Sequence, residues 1–371
     1  MFNSPSSFVG IDIGTSSLKV VELVSRRKRI EVATYAQANL PNILLTPPGS
    51  EEDALRRVAS VLQRMLEKAN VTSDVVVAAL PSSVVFSTVI NLPALPDEEM
   101  DKAIRFAARD VVPSDIDDTV LGWSRVGQTP HMDTDQAQSP ATAAAEADKA
   151  LSGSQETVPI FLTAASKNVV DRYVKLMEMM QLQLFALEVE TFPLVRSLLS
   201  SPNASGLIVD IGDRATTFHV IDQGTPRFSS TVEFGGWNIS QTIAKAANIS
   251  VEEAEAQKIR HGLSAAAPGP IRQAAKGGVG QLTDKAKSLL DLYQSKTGRK
   301  ITKSILIGGG ANLRELKTEW SVALGNDTVV GNPWKGLSYP VALEARLLDV
   351  GPTYAVAVGL ALRGLTTTAP A

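Results

Sequence analysis

Residues 8–19 read Phe-Val-Gly-Ile-Asp-Ile-Gly-Thr-Ser-Ser-Leu-Lys. A β-branched run, Val9, Ile11 and Ile13, carries one carboxylate, Asp12, and then turns on Gly14 into small hydroxyl residues. A glycine turn after a strand lets backbone N–H groups approach an anion closely, because no side chain holds it off. The pattern returns as Leu207-Ile208-Val209-Asp210-Ile211-Gly212, with Thr216 and Thr217 beyond it. Later, Ile305-Leu306-Ile307-Gly308-Gly309-Gly310-Ala311-Asn312 reads as a strand entering a glycine turn ahead of a helix. Two strand–Asp–Gly turns and one strand–Gly-Gly-Gly turn, in this order, predict two related lobes facing one nucleotide.

The rest of the chain is compatible with that reading. At 371 residues, 44% apolar and 20% charged, it is long enough for two or more domains with their own cores. A net charge of −3 with dispersed basic residues argues against a nucleic-acid partner. The absence of cysteine excludes disulfides, thiolate metal sites and Cys nucleophiles, and agrees with a reducing compartment. His131, His219 and His261 are too scattered in sequence to suggest a histidine metal site. There is no apolar leader before Val9, and no run approaches the roughly 18–20 apolar residues of a membrane span. The expectation is a cytoplasmic protein that meets a membrane only through a partner or a surface patch.

Residues 8–13, 17–24 and 30–38 read as strands, followed by a helix over 51–69 and a buried strand over 75–80. Strand–strand–strand–helix–strand opens a ribonuclease-H-like lobe, here residues 1–80. Pro81 starts a different, inserted α+β unit expected to run to residue 182. It comprises strand 84–92, a helix opening at Pro96 and stopped by Pro113, strands 119–126 and 158–165, and helix 167–180. Its 127–157 stretch, rich in Ala, Ser, Thr, Gln and Asp, is expected to be a mobile loop. The first lobe resumes over 183–203. A second lobe over 204–350 repeats the plan, with strands 205–211, 215–222 and 227–233 and helices 238–247, 251–261 and 279–295. An Ala/Val/Leu-rich buried helix within 351–366 is expected to return to the first lobe, ahead of a tail over 367–371.

Asp12 and Asp210 fall at the C-terminal ends of strands, where ligands bind in α/β sheets. Brought together, they could hold a hydrated Mg²⁺, which favours few protein ligands, its own waters and substrate phosphates. Amides around Gly14-Thr15-Ser16 and Gly212 could cradle phosphate oxygens, with Lys19 adding a point charge and Thr216 nearby. Glu255 and Lys258 share a helix face three residues apart, an ordinary solvated ion pair by spacing alone. Beside the flat turn Gly308-Gly309-Gly310-Ala311 they become candidates for ribose and adenine contacts. Glu190, at a strand–helix junction, is either a helix N-terminal acid or the group that orients a water against a γ-phosphate. Glu188 competes for that role. The turn Arg26-Arg27-Lys28-Arg29 is a solvated hairpin tip or a contact for an anionic membrane surface. No Ser/His/Asp nucleophilic triad stands out.

These motifs resemble the actin, heat-shock chaperone and sugar kinase superfamily, which implies a two-lobed actin-like ATPase fold. Within it, the chain most resembles the type IV pilus assembly family PilM, and next the cell-division protein FtsA. The resemblance rests on Val9 to Leu23, the unit from Leu80-Pro81 to Val112-Pro113, Phe234-Gly235-Gly236, Glu253 to Lys258, and Ala355 to Gly364. It implies ATP and Mg²⁺ between the lobes, with Gly235 and Gly236 joining the nucleotide-binding residues and slow catalysis at most. It also implies a scaffold peripheral to the inner face of the cytoplasmic membrane. Such a scaffold would hold the cytoplasmic N-terminal peptide of a PilN-like membrane protein beside the inserted unit. Self-association stays open. The rival readings are an FtsA-like division protein polymerising at the membrane, a small-molecule kinase on this fold, and a remnant that has lost nucleotide binding.

Overall fold

The opening strand β1 (Ser7–Ile13) is buried on both faces from Phe8 onward, as a near-continuous apolar run in a central strand requires. β2 (Ser17–Arg26) pairs with it antiparallel, setting Lys19 opposite Asp12. With β3 (Arg29–Asn39), β4 (Val75–Leu80) and β8 (Gln183–Val189) they form a sheet of order β3-β2-β1-β4-β8. The computed structural model describes residues 6–14, 16–27, 29–40, 45, 49–126, 157–199, 201 and 203–367. Thr15, Lys28, residues 127–156 of the expected loop and the tail from 368 lie outside the described residues.

The second sheet repeats the first. Its order is β11-β10-β9-β12-β13, from β9 (Gly206–Ile211), β10 (Thr216–Asp222), β11 (Thr225–Val232), β12 (Lys303–Ile307) and β13 (Asp327–Val330). As in the first sheet, the central strand has an antiparallel neighbour on one side and a parallel one on the other. Asp210 therefore occupies in the second sheet the place Asp12 holds in the first. Three helices back it, α5 (Gly236–Ala247), α6 (Val251–His261) and α7 (Gly269–Thr297), around a core that includes Ile243, Ala254, Ala275 and Leu282.

The insertion is a small sheet of order β5-β7-β6, from β5 (Val85–Pro93), β6 (Thr119–Arg125) and β7 (Thr157–Ser166). It is covered by Met100, Ile104 and Ala108 of α2 (Asp97–Val111). The helix expected to complete this unit belongs elsewhere. Tyr173, Leu176 and Met177 of α3 (Lys167–Met179) pack with Leu55, Val58 and Leu62 of α1 (Glu51–Lys68) in the core of the first sheet. The insertion thus ends structurally at β7.

A second boundary also moves. Trp334 and Leu347, both inaccessible to solvent, share a core with Phe8, Val21 and the helix α10 (Ala355–Thr367). The Ser338 N–H donates to the Ile30 carbonyl, and the Val32 N–H donates to the Ser338 carbonyl. The chain therefore crosses to the edge of β3 well before residue 350, contrary to the expected limit of the second lobe. α10 lies so close to β1 that a Cβ on Gly10 would sit 2.0 Å from the Ala357 carbonyl oxygen. The stretch Val341–Thr366 is long and apolar enough to cross a membrane, contrary to the reading of the sequence, and 61% of its most apolar window is buried inside the protein. Its apolarity is spent on the core between the lobes.

Candidate functional site

Asp12 and Asp210 line one cleft between the two lobes, with a volume of about 380 Å³. Lys19 reaches in from β2, its Nζ 3.3 Å from Asp12 Oδ2. Gly14, Ser16, Gly212, Glu190, Gly236, Glu255, Lys258 and Gly308 to Gly310 line the same cleft. The third turn is built on glycine for a steric reason. Gly308 has φ 79°, and a Cβ there would lie 2.3 Å from Asp210 Oδ1. Gly309 has open space where a side chain would stand, so this backbone offers a bare, flat wall. Lys258 Nζ donates to Glu255 Oε2 at 2.7 Å and to the Gly236 carbonyl at 2.8 Å, while the Ser240 hydroxyl also donates to Glu255. The pair is thus tied to the first turn of α5 rather than free in solvent.

Several expected site residues sit outside the cleft. Thr216 is fully buried and its hydroxyl donates to the Phe234 carbonyl at 2.7 Å. Strand alternation turns Thr217 to the cleft in its place, paired with Thr231 at 3.1 Å. Ala311 is 4% exposed and packs in the second-lobe core. Gly235 is the N-cap of α5, where a Cβ would fall 2.6 Å from the Gly212 and Asp213 carbonyl oxygens. It supports the second turn from beneath. Thr15 lies outside the described residues. Between the competing acids, Glu190 faces the cleft, whereas Glu188 accepts hydrogen bonds from Arg196 and Arg363 away from it. Gln37, Asn39, Ser83, Ile259, Leu282, Leu313 and Leu316 also line the cleft and were missed. The i,i+3 apolar pair Leu313 and Leu316, just past the triple glycine, is the signal that could have found two of them.

Three carboxyl groups and one ammonium crowd this space. Burial alone would lower the Lys19 ammonium, but Asp12, Asp210 and Glu190 outweigh it and hold its pKa above the ordinary value. Burial, with the Asp12 charge adding to it, pushes Asp210 up to about 6 against the pull of Lys19. Burial and then Asp12 push Glu190 up to about 8, although the Ser82 N–H donates to its Oε2 at 2.9 Å. Raised carboxyl pKa values mean that the folded protein binds these protons more tightly than the unfolded chain. Stability is therefore lost as pH rises from about 4 through about 6 for Asp210 and about 8 for Glu190, by up to about 1.4 kcal/mol per unit per group. Ligand-free protein is expected to melt lower at about pH 8 than at about pH 5.5, and Glu190→Gln to flatten that slope. Differential scanning fluorimetry across the range checks it.

The donors suit a hard cation. Asp12 and Asp210 offer only oxygen, and among the described residues no cluster of three His, Cys, Asp or Glu forms a protein cage. Two carboxylates beside an open, water-accessible space fit Mg²⁺, which keeps most of its own waters and phosphate ligands.

The lobes also meet through a buried polar cluster behind the cleft. Thr191 opens α4 (Thr191–Leu198) in the first lobe, and its hydroxyl lies 3.1 Å from His219 Nδ1 and 3.3 Å from Ser229 Oγ in the second-lobe sheet. His219 Nδ1 and Ser229 Oγ are themselves 2.8 Å apart. Burial drives the His219 pKa down to about 3, so the ring is neutral.

Duplicated five-stranded sheets facing one cleft, each delivering an aspartate and a glycine turn, define an actin-like ATPase fold. The chain belongs to the type IV pilus assembly protein PilM family, whose profile matches residues 10–365. A structure solved as the PilM-PilN type IV pilus biogenesis complex is similar at 25% identity over 98% of this chain and 99% of that one, with a TM-score of 0.78. Ethanolamine utilization protein EutJ from Carboxydothermus hydrogenoformans shares the fold at 17% identity, over 96% of this chain and 90% of that one, with a TM-score of 0.56. So does MreB 5 of Spiroplasma citri bound to AMPPNP, at 13% identity, 97% and 96% coverage and a TM-score of 0.51.

Proposed function

We propose that this protein is an ATP-binding scaffold of the type IV pilus assembly machinery. In this reading it binds Mg·ATP between its lobes and holds the cytoplasmic N-terminal peptide of a PilN-like inner-membrane protein beside the inserted sheet. The observation that carries it is the convergence of Asp12, Lys19, Asp210 and the Gly308 turn on a single cleft. The cation would sit between Asp12 and Asp210, and Lys19 and the backbone of the glycine turns would hold phosphate oxygens. Glu255 and Lys258 would lie on the ribose side, with Leu313 and Leu316 against the base. Glu190, fixed by the Ser82 N–H, would orient a water. Since it favours its protonated form near neutral pH, little of it is free to accept a proton there, which suits slow turnover. The fold match to the PilM-PilN complex supports the partner, and contact with the membrane would come through that partner.

Calorimetric titration of Mg·ATP, repeated with EDTA, tests the nucleotide site. Saturable binding that weakens when the metal is chelated is expected, and no binding to the wild-type protein overturns the reading. Titrating the synthetic N-terminal peptide of the PilN-like protein encoded in the same genome tests the partner in the same way.

A further inference from the structure

Glu190, Thr191 and Phe192 are consecutive, yet each reaches a different part of the protein. Glu190 lines the interlobe cleft and accepts the Ser82 N–H at the entry to the inserted unit. Thr191 touches His219 and Ser229 of the second lobe. The Phe192 ring packs edge to face on Phe161 of β7, with centroids 5.3 Å apart. With Trp123, Glu188 and Arg363 it lines a small cavity between the inserted sheet and the first lobe. From this geometry we infer that the Glu190–Thr191–Phe192 turn couples the nucleotide cleft to the inserted-unit cavity, with His219 as its anchor on the second lobe. The inference deepens the proposed function and rests on its assignment of the cleft to nucleotide and of the inserted-unit side to a peptide.

The physical basis is that the turn is stiff while its attachments belong to two other bodies, Ser82 and Phe161 to the inserted unit and His219 with Ser229 to the second lobe. Thr191 is 2% exposed, Glu190 already has helical dihedrals, and the Leu194 N–H donates to the Glu190 carbonyl. His219 Nδ1 is held by the Ser229 and Thr191 hydroxyls, and its Nε2 has no partner among the described residues. The ring therefore takes its polar attachment from one residue in each lobe. If nucleotide draws the lobes together, β10 and β11 carry His219 and Ser229 with them. Thr191 must then follow or let go, because packed interiors switch between arrangements rather than stretch. A tilt of the first turn of α4 moves Phe192 against Phe161 and changes the cavity wall. Being neutral, the link depends on geometry and not on charge.

Coupling between two ligands is reciprocal, so the factor by which ATP changes peptide affinity equals the factor by which peptide changes ATP affinity. Both can be measured with Mg·ATP and a fluorescein-labelled copy of the PilN-like N-terminal peptide. Wild-type protein is expected to give a factor of about fivefold or more. Thr191→Val, which keeps the shape and deletes the hydroxyl, is expected to bring it to about one, with each single-ligand affinity within about twofold of wild type. Thr191→Ser is expected to restore the coupling, which a merely structural role would not require. Should Thr191→Val fail to fold, Phe192→Leu breaks the other side of the element and is expected to lower the factor likewise. A wild-type factor of one, or Thr191→Val and Phe192→Leu that both keep the wild-type factor, overturns the coupling while leaving both binding sites intact. Absence of ATP or peptide binding by the wild type overturns the functional reading, and the coupling with it.

Discussion

Lys19→Ala is expected to weaken Mg·ATP binding by about 10- to 100-fold, from the roughly 1.5–3 kcal/mol carried by a hydrogen bond between charged groups. The lysine is set by the β1–β2 register that places it opposite Asp12, and its side chain is only 13% exposed. It faces Asp12, Asp210 and Glu190 together. Removing it does two things to a phosphate-bearing ligand. The proposed phosphate contact would be lost, and the anionic walls would be left without the ammonium that balances them. The Asp210 carboxyl, which Lys19 now pulls down, would rise further above about 6, so more of it would be protonated near neutral pH and poorer as a cation ligand. Asp12→Asn acts on the other half of the site. It frees Lys19 from its 3.3 Å pairing and removes a carboxylate proposed to hold the cation, so its loss should appear chiefly as lost Mg²⁺ dependence. Calorimetry at several Mg²⁺ concentrations separates the two variants. Wild-type affinity in Lys19→Ala would remove the phosphate assignment.

The convergence of the glycine turns on one cleft was legible because it rests on local grammar. A strand, an aspartate and a glycine turn are contiguous, so Asp12, Gly14, Asp210, Gly212 and the Gly308 turn could be read before any tertiary contact was known. The errors arose where local grammar stops. Thr216 and Thr217 are adjacent hydroxyl residues on one strand, and a shift of one residue exchanges cleft for core. Ala311 continues the glycine turn in sequence, but the helical turn over Gly309–Asn312 points it inward. α3 follows β7 without a break, so nothing in the chain marks that its apolar face belongs to α1 and not to the inserted sheet. The crossing of residues 334–339 onto β3 is a long-range pairing with no periodic trace. His219 looked like an isolated histidine because its partners, Thr191 and Ser229, are distant in sequence and lie in two lobes.

Glu188→Ala is expected to be the most damaging of these substitutions, lowering stability by about 3–5 kcal/mol, while Glu190→Gln is expected to raise it slightly at alkaline pH. Opposite signs from two acids so close in sequence follow from where the strand ends. Side chains two apart on a strand share a face, and an uninterrupted β8 would leave the two acids equivalent. Glu190, however, adopts φ −47° and ψ −28°, leaves the alternation and turns into the cleft. Glu188 stays in the strand with its side chain 4% exposed. There it accepts two 3.0 Å bonds from Arg196 and a further one from Arg363, whose own side chain is 7% exposed. Truncating the carboxylate takes away the one acid that Arg196 and Arg363 share between α4 and α10. Among the described residues Arg196 then keeps the Gly359 carbonyl, and a backbone oxygen does not neutralise a charge. Domains hold only about 5–15 kcal/mol of net stability, so this loss is a large share of the whole. Urea denaturation at neutral pH should show a lower midpoint with an unchanged slope for Glu188→Ala. In Glu190→Gln the substitution instead removes a carboxyl that burial penalises when ionised, and the midpoint at about pH 8.5 should hold or rise. Equal losses in the two variants would mean that both acids serve the core, and that no acid of this strand end is reserved for the cleft.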